Sequence, residues 1–451
     1  MHTPSPSLRL AARAAVLLLA GALLAAPRRA AAQADATATH LSRIERRIAQ
    51  AVDAHNAEAL ALLERTVNIN SGTLNLDGVR RVGDVFRREL DALGFTTRWV
   101  DGAAFHRAGH LVAERKGNGP RVLLIGHLDT VFEPSSPFQK FERLDDSTAR
   151  GPGIIDMKGG DVIAIYALRA LKDAGVLDRL SVTVVFHGDE EDAGTPLDSA
   201  RHALVEAARG AAAAIGFEDG AADPRTAVIA RRSAGGWTLR VTGTPAHSSQ
   251  IFTPSVGAGA VYETARVLNQ FYTALSKEQY LTVSPGLSLG GTTVTVDSSL
   301  TTGTAAGKSN VVAGTMVTVG DLRAISPEQI ARTKATMREI VAAHLPGTSS
   351  EITFDDGYPP MAPTAGNRKL LAIYDQASRD LGFGPVEAVD PSRAGAADVS
   401  FVAALVPMAI DGIGLSGHSD HTPDETADLR MLPVLTKRAA LMLYRLSQTT
   451  P

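Results

Sequence analysis

The sequence contains no cysteine. Disulfides are therefore excluded, and a metal site would have to be built from His, Asp and Glu rather than thiolate. Neither sign of charge dominates: 45 Lys and Arg stand against 48 Asp and Glu, a net charge of −3 with His neutral. The basic residues are scattered, so no footprint for nucleic acid or an anionic membrane is expected. Long apolar runs are also missing. The longest, residues 14–26, follows Arg9 and Arg13 and is 13 residues long, short of the roughly 20 needed to span a bilayer. Ala32-Gln33-Ala34 then offers a small-x-small cleavage pattern, so residues 1–34 are expected to be a signal peptide. The chain is thus expected to be exported, periplasmic or secreted, and soluble once cleaved. Internal repeats and a convincing serine nucleophile elbow are absent too.

What is present has ordinary globular composition, 44% hydrophobic and 21% charged. A chain of 451 residues exceeds one ordinary domain, which predicts two, one interrupting the other. Apolar residues recur at helical spacing over residues 41–64 and 79–93. Apolar runs at 122–125, 182–186 and 211–217 read as strands, separated by helical stretches at 161–171 and 199–208. This alternation predicts an α/β domain with a mainly parallel sheet covered by helices on both faces. From residue 232 the texture changes: strands at 237–241, 311–323 and 351–354, helices at 257–275 and 327–344, and a Gly/Thr/Ser-rich stretch at 287–304. The α/β texture resumes after Pro359-Pro360, ending in an amphipathic helix at 432–446. The expected layout is one α/β domain of residues 35–231 and 357–451, interrupted by an inserted α+β unit of 232–356.

Each of the three early strands runs into acidic residues, where sheets of this type gather ligands. His127-Leu128-Asp129 ends the first. Residues two apart on a strand share a side, so Asp129 is placed to orient a metal-binding His127. Asp156 lies among glycines just before a helix: a helix cap on the bland reading, a carboxylate with two coordinating oxygens on the other. Asp189-Glu190-Glu191 is either a solvated acidic loop or a ligand beside a general base. Glu218-Asp219 repeats the pattern, and His418 and His421 share a Ser/Asp/Pro-rich loop. Taken together these supply a nitrogen and oxygen donor set suited to zinc or a related divalent ion.

In these motifs and their order the chain resembles the co-catalytic dizinc peptidases and amidohydrolases, the family of glutamate carboxypeptidase (carboxypeptidase G), aminoacylase and acetylornithine deacetylase. The resemblance is carried by Gly126-His127-Leu128-Asp129-Thr130-Val131, Gly153-Ile154-Ile155-Asp156-Met157-Lys158-Gly159-Gly160, Asp189-Glu190-Glu191, Phe217-Glu218 and His421. Val67-Asn68-Ile69-Asn70-Ser71-Gly72 resembles that family's early segment, so the similarity spans the mature chain. Glu218, rather than an Asp, points to the carboxypeptidase G branch.

The resemblance implies a zinc exopeptidase-like fold whose inserted unit is a lid and dimerisation domain. It implies two zinc ions, with cobalt or manganese as substitutes. His127 and Glu218 would bind one, Glu191 and the distal histidine the other, and Asp156 would bridge them. Glu190 would be the general base, and Asp129 would orient His127. For the distal histidine, His421 followed by Glu425 fits one family pattern, and His418-Ser419-Asp420 fits another; His421 is preferred. The lid would contribute His247 to polarise the scissile carbonyl, often from a neighbouring subunit. Asn310 and Arg323 would hold a substrate carboxylate. The implied reaction is hydrolysis of an amide bond beside a free carboxylate in a peptide or N-acyl amino acid, by a homodimer. The alternatives are an aminoacylase or deacetylase, and a catalytically silent metal-binding relative; retention of both Glu190 and Glu191 argues against the last. One departure bears on substrate: the pocket-lining Gly-Gly-Thr-Asp of the family is Gly395-Ala396-Ala397-Asp398 here.

Overall fold

The computed structural model describes residues 41–449 apart from position 222; the expected signal peptide lies outside them. Helix α1 (Arg43–Val67) starts at a capping box in which Ser42 and Glu45 bond each other's backbone. Its apolar positions Ile48, Val52, Ala59, Leu62, Leu63 and Val67 are buried at helical spacing. Helix α2 (Leu76–Ala92) buries Val79, Val82, Phe86 and Leu90 in the same manner. Helix α3 (Gly159–Asp173) is apolar on nearly every side and is accordingly central, packed on α1 and on the last helix. Helix α4 (Leu197–Ala208) covers the other side of the sheet.

That sheet has six strands, ordered Thr96–Asp101, Gly109–Arg115, Ser181–His187, Arg121–His127, Ala213–Gly216 and Ala409–Ile410. The last four pair in parallel. The first two are antiparallel, and the second joins the parallel block antiparallel. Neither strand of this pair was expected from the sequence; Thr96–Asp101 is polar and half-exposed, an edge strand with no apolar run.

Helices α5 (Gly259–Leu275) and α6 (Pro327–Ala342) pack on a separate four-stranded sheet, ordered Thr282–Gly291, Thr315–Arg323, Ala234–Gly243 and Thr348–Tyr358. The Gly/Thr/Ser-rich stretch thus contributes an edge strand and a hairpin, Thr293–Val296 with Gly303–Ala306. Alternating Thr and Val make those residues good strand formers despite the glycines around them. Helices α7 (Ala365–Asp380) and α8 (Met431–Leu446) return to the first sheet and complete its helical cover. No described helix is long and apolar enough to cross a membrane.

Two local features set up the site. Gly160 lets the start of α3 approach the strand ends, because a Cβ there would lie 1.9 Å from the Phe217 carbonyl oxygen. A four-stranded ribbon joins Glu142–Arg143 and Thr148–Arg150 to Gly417–His418 and Thr426–Asp428. It carries the loop containing His421 to the segment containing Asp156.

Candidate metal centre and active site

His127 closes the strand Arg121–His127 and is 1% exposed. Its Nδ1 lies 3.1 Å from the Asp129 main-chain oxygen and 3.5 Å from Asp129 Oδ1, leaving Nε2 aimed outward. Nε2 faces Asp156 Oδ1 at 3.0 Å and Glu218 Oε1 at 3.4 Å. The other oxygen of Asp156 faces His421 Nε2 at 2.9 Å, and that nitrogen is 3.1 Å from Glu191 Oε2. One carboxylate therefore presents one oxygen to each of two imidazoles. Two three-donor groups result, His127 with Asp156 and Glu218, and Asp156 with Glu191 and His421, each within the span that a single ion can bridge.

Asp156 does not cap a helix. It sits in the irregular segment Ile154–Lys158 ahead of α3, entered through Gly153 at φ 69°. That segment is held by Glu425, whose carboxylate accepts the amide N–H groups of Gly153, Ile155 and Asp156 at 2.9, 2.9 and 3.3 Å. Burial pushes the Glu425 carboxyl up to about 7, against these bonds. Lys158, fully buried, donates to the Ile69 and Pro152 carbonyls and fixes the far end of the same segment.

Asp129 does more than face His127. Its oxygens accept the amides of Glu190 and Glu191, both at 3.1 Å, and the Thr73 hydroxyl at 2.7 Å. Glu191 is thereby directed to His421. The Glu190 carboxylate makes no hydrogen bond or ion pair among the described residues. Asp189, the first of the three acids, is not a solvated loop residue but fully buried against Arg201. His418 is exposed and lies apart from the donors, beside Pro224, Arg225 and Asp428, whereas His421 joins them.

The electrostatics fit divalent cations. Burial, then the neighbouring Glu218, pushes the Glu190 carboxyl well above its ordinary value. Burial and Asp156 raise Glu191 to about 8; burial raises Glu218 to about 7 against the pull of His127. Hydrogen bonds to Asp156 and Glu191 push His421 up to about 11. Burial opposes a charge on His127, but Glu218, Asp129 and Asp156 outweigh it and hold its value well above normal. Glu191 Oε1 is buried with no hydrogen-bond partner among the described residues. Crowded carboxylates that can ionise only at a cost, an orphaned oxygen and two imidazoles are what hard or borderline dications neutralise.

Of the residues behind this layer, the sequence analysis named Asp398 but not Arg201, Arg231 or Asp411. Arg231 pairs with Asp411 at 2.9 Å, and Asp411 accepts the Glu218 amide at 3.4 Å. Asp398 binds His187 and Arg201 and is 3% exposed, so the changed segment 395–398 turns its acid inward. One signal was available: Asp411 is a lone charge in the otherwise apolar stretch 401–415.

The second sheet carries the remaining predicted residues. His247 and Asn310 are exposed at one end, where Ser248 N–H donates to the Asn310 carbonyl and His247 Nδ1 lies 2.8 Å from Ser249 Oγ. Arg323 ends the strand Thr315–Arg323 at the other end, its Nε 3.0 Å from Asp321 Oδ2. A nine-residue strand separates them, about 26 Å at some 3.3 Å per residue. Within one chain, Asn310 and Arg323 are therefore not brought to one carboxylate.

The model of "Peptidase family M20/M25/M40" matches residues 123–445. Carboxypeptidase G2 of Pseudomonas sp. (strain RS-16) is 25% identical over 404 residues, 88% of this chain and 91% of that protein. A tripeptidase from Staphylococcus aureus shares the fold with a TM-score of 0.67 at 18% identity, over 87% of this chain and 99% of that one. A dinuclear metal-binding peptidase from Bacillus subtilis does so with a TM-score of 0.59 at 16% identity, over 88% and 99%. The strand order, the paired donor groups and these likenesses agree: the chain is a metal-dependent hydrolase that belongs to peptidase family M20/M25/M40.

Proposed function

We propose that this hydrolase is a carboxypeptidase G-like exopeptidase, cutting an amide bond beside a free carboxylate, and that its two metal ions are zinc. The observation that carries the reading is the Asp156 carboxylate with one oxygen at each histidine. His127, Asp156 and Glu218 would hold one ion; Asp156, Glu191 and His421 the other. Bound there, the pair supplies Lewis acidity, polarising a carbonyl and acidifying water. The chain does the rest. Glu190, unbonded at its carboxylate, takes a proton from the attacking water and returns it to the leaving amine nitrogen. Asp129 fixes the His127 ring and the Glu190 turn together. Arg323 grips the substrate carboxylate with a planar guanidinium.

His247 and Asn310 sit too far from Arg323 to serve the same substrate. That supports a homodimer in which the lid of a second copy, its residues 232–356, lends them. Export through residues 1–34 completes the reading.

Hydrolysis of a panel of N-acyl glutamates, peptidyl glutamates and dipeptides, with their C-terminal amides as controls, tests it. Turnover of free-carboxylate substrates and refusal of the amides is expected. Preference for N-acetyl amino acids over peptidyl ones would assign an aminoacylase or deacetylase, and no turnover by metal-loaded protein a silent relative.

A further inference from the structure

The turn carrying Glu190 is gripped from two sides. Asp129 holds its amide side, taking the N–H groups of Glu190 and Glu191. The carbonyl side is held by two residues with no assigned role. Arg201 Nη2 donates to the Asp189 carbonyl at 3.0 Å, and the Tyr358 hydroxyl donates to the Glu190 carbonyl at 3.2 Å. These two are themselves joined, because Nη2 also donates to the Tyr358 oxygen at 2.8 Å.

Acids flank the rest of the Arg201 guanidinium. Nη1 donates to Asp189 Oδ1 at 2.9 Å, and Nε lies 2.7 Å from Asp398 Oδ1. Its side chain is 2% exposed and lies over the rings of Tyr358 and Phe401, which meet edge-on at 4.8 Å. Desolvating a guanidinium is expensive unless geometry and neighbouring charge are arranged around it, and apolar filling would hold the fold as well. What an apolar residue could not do is bond the Asp189 carbonyl and the Tyr358 hydroxyl that holds the next carbonyl.

We propose that Arg201 and Tyr358 are positioning residues for Glu190, locking the carbonyl side of its turn while Asp129 locks the amide side. The assignment rests on Glu190 being the general base. A base on a flexible side chain is placed only as well as its backbone, and misplacement by about 1 Å can cost on the order of 100-fold in rate.

Tyr358→Phe removes the hydroxyl and keeps the ring. The full-length, metal-loaded variant is expected to keep its metal content and its KM within about twofold, while kcat falls about tenfold. Amide hydrogen exchange in the peptide spanning residues 188–194 should quicken while other segments stay unchanged. In a Glu190→Gln background the kcat loss on adding Tyr358→Phe should be smaller than in the wild type, because no base remains to be aimed. Unchanged exchange at 188–194 overturns the proposal whatever the kinetics. Faster exchange with an equal kcat loss in both backgrounds also overturns it, since the effect would then be general. Arg201→Lys, which keeps the charge and loses the fork, should behave alike; where it fails to fold, Tyr358→Phe alone decides. Failure of the general-base reading shows separately, as full turnover by the Glu190→Gln single variant.

Discussion

The two donor groups share Asp156 and differ in almost everything else. His127 ends a central parallel strand, its side chain is 1% exposed, and its second nitrogen faces Asp129. His421 stands at φ 58° in a loop between two short strands, its side chain 53% exposed. Glu218 is likewise tied through Asp411 to Arg231, whereas Glu191 keeps an oxygen without a partner among the described residues. The sheet builds one half of the site outright. A ribbon arriving from far along the chain closes the other half. The ion beside His127 should therefore bind more tightly and exchange more slowly than the ion beside His421.

The largest expected effect is on the proposed general base, which belongs to neither donor group. Glu190→Gln should retain both ions and lose about 100-fold or more in kcat, checked by steady-state kinetics beside metal analysis. Full activity would remove its role. Next, His421→Ala should weaken one ion by at least the roughly 10- to 100-fold that loss of a ligand's own partner costs, leaving the other in place on titration. Release of both ions together would break the contrast between the halves. Arg323→Ala should raise KM for free-carboxylate substrates about tenfold, the worth of one charge-assisted bond, and spare the amide analogues. Equal change on both would dismiss the clamp. The smallest effect is expected at His418→Ala, exposed and away from the donors: within about twofold in rate and metal affinity, as for other surface changes. A loss matching that of His421→Ala would reverse the choice between the two histidines.

The sequence displayed the donors because each sits at a strand end or in a Gly-rich segment whose pattern is local. His127 is two residues from Asp129, Glu190 and Glu191 are adjacent, and His421 is four from Glu425. Which histidine closes the site depended on the ribbon of Gly417–His418 with Thr426–Asp428, a tertiary fact. The supports were hidden for the same reason. Arg201 meets Tyr358 across 157 positions and Asp411 meets Arg231 across 180, and no periodicity records such pairs. The acidic run also misled: Asp189 resembles its neighbours in sequence, yet it is buried against Arg201 while Glu190 and Glu191 face the donors. The edge strand Thr96–Asp101 escaped because a half-exposed polar strand lacks an apolar run.

The central claim is that Asp156 is shared by two cations. Metal analysis of zinc-loaded protein, wild type beside Asp156→Asn, tests it most directly. Two ions per chain in the wild type, and loss of at least one in a variant that still folds, is the predicted result. No more than a stray ion in the wild type, or two ions held equally well without the Asp156 carboxylate, would contradict it.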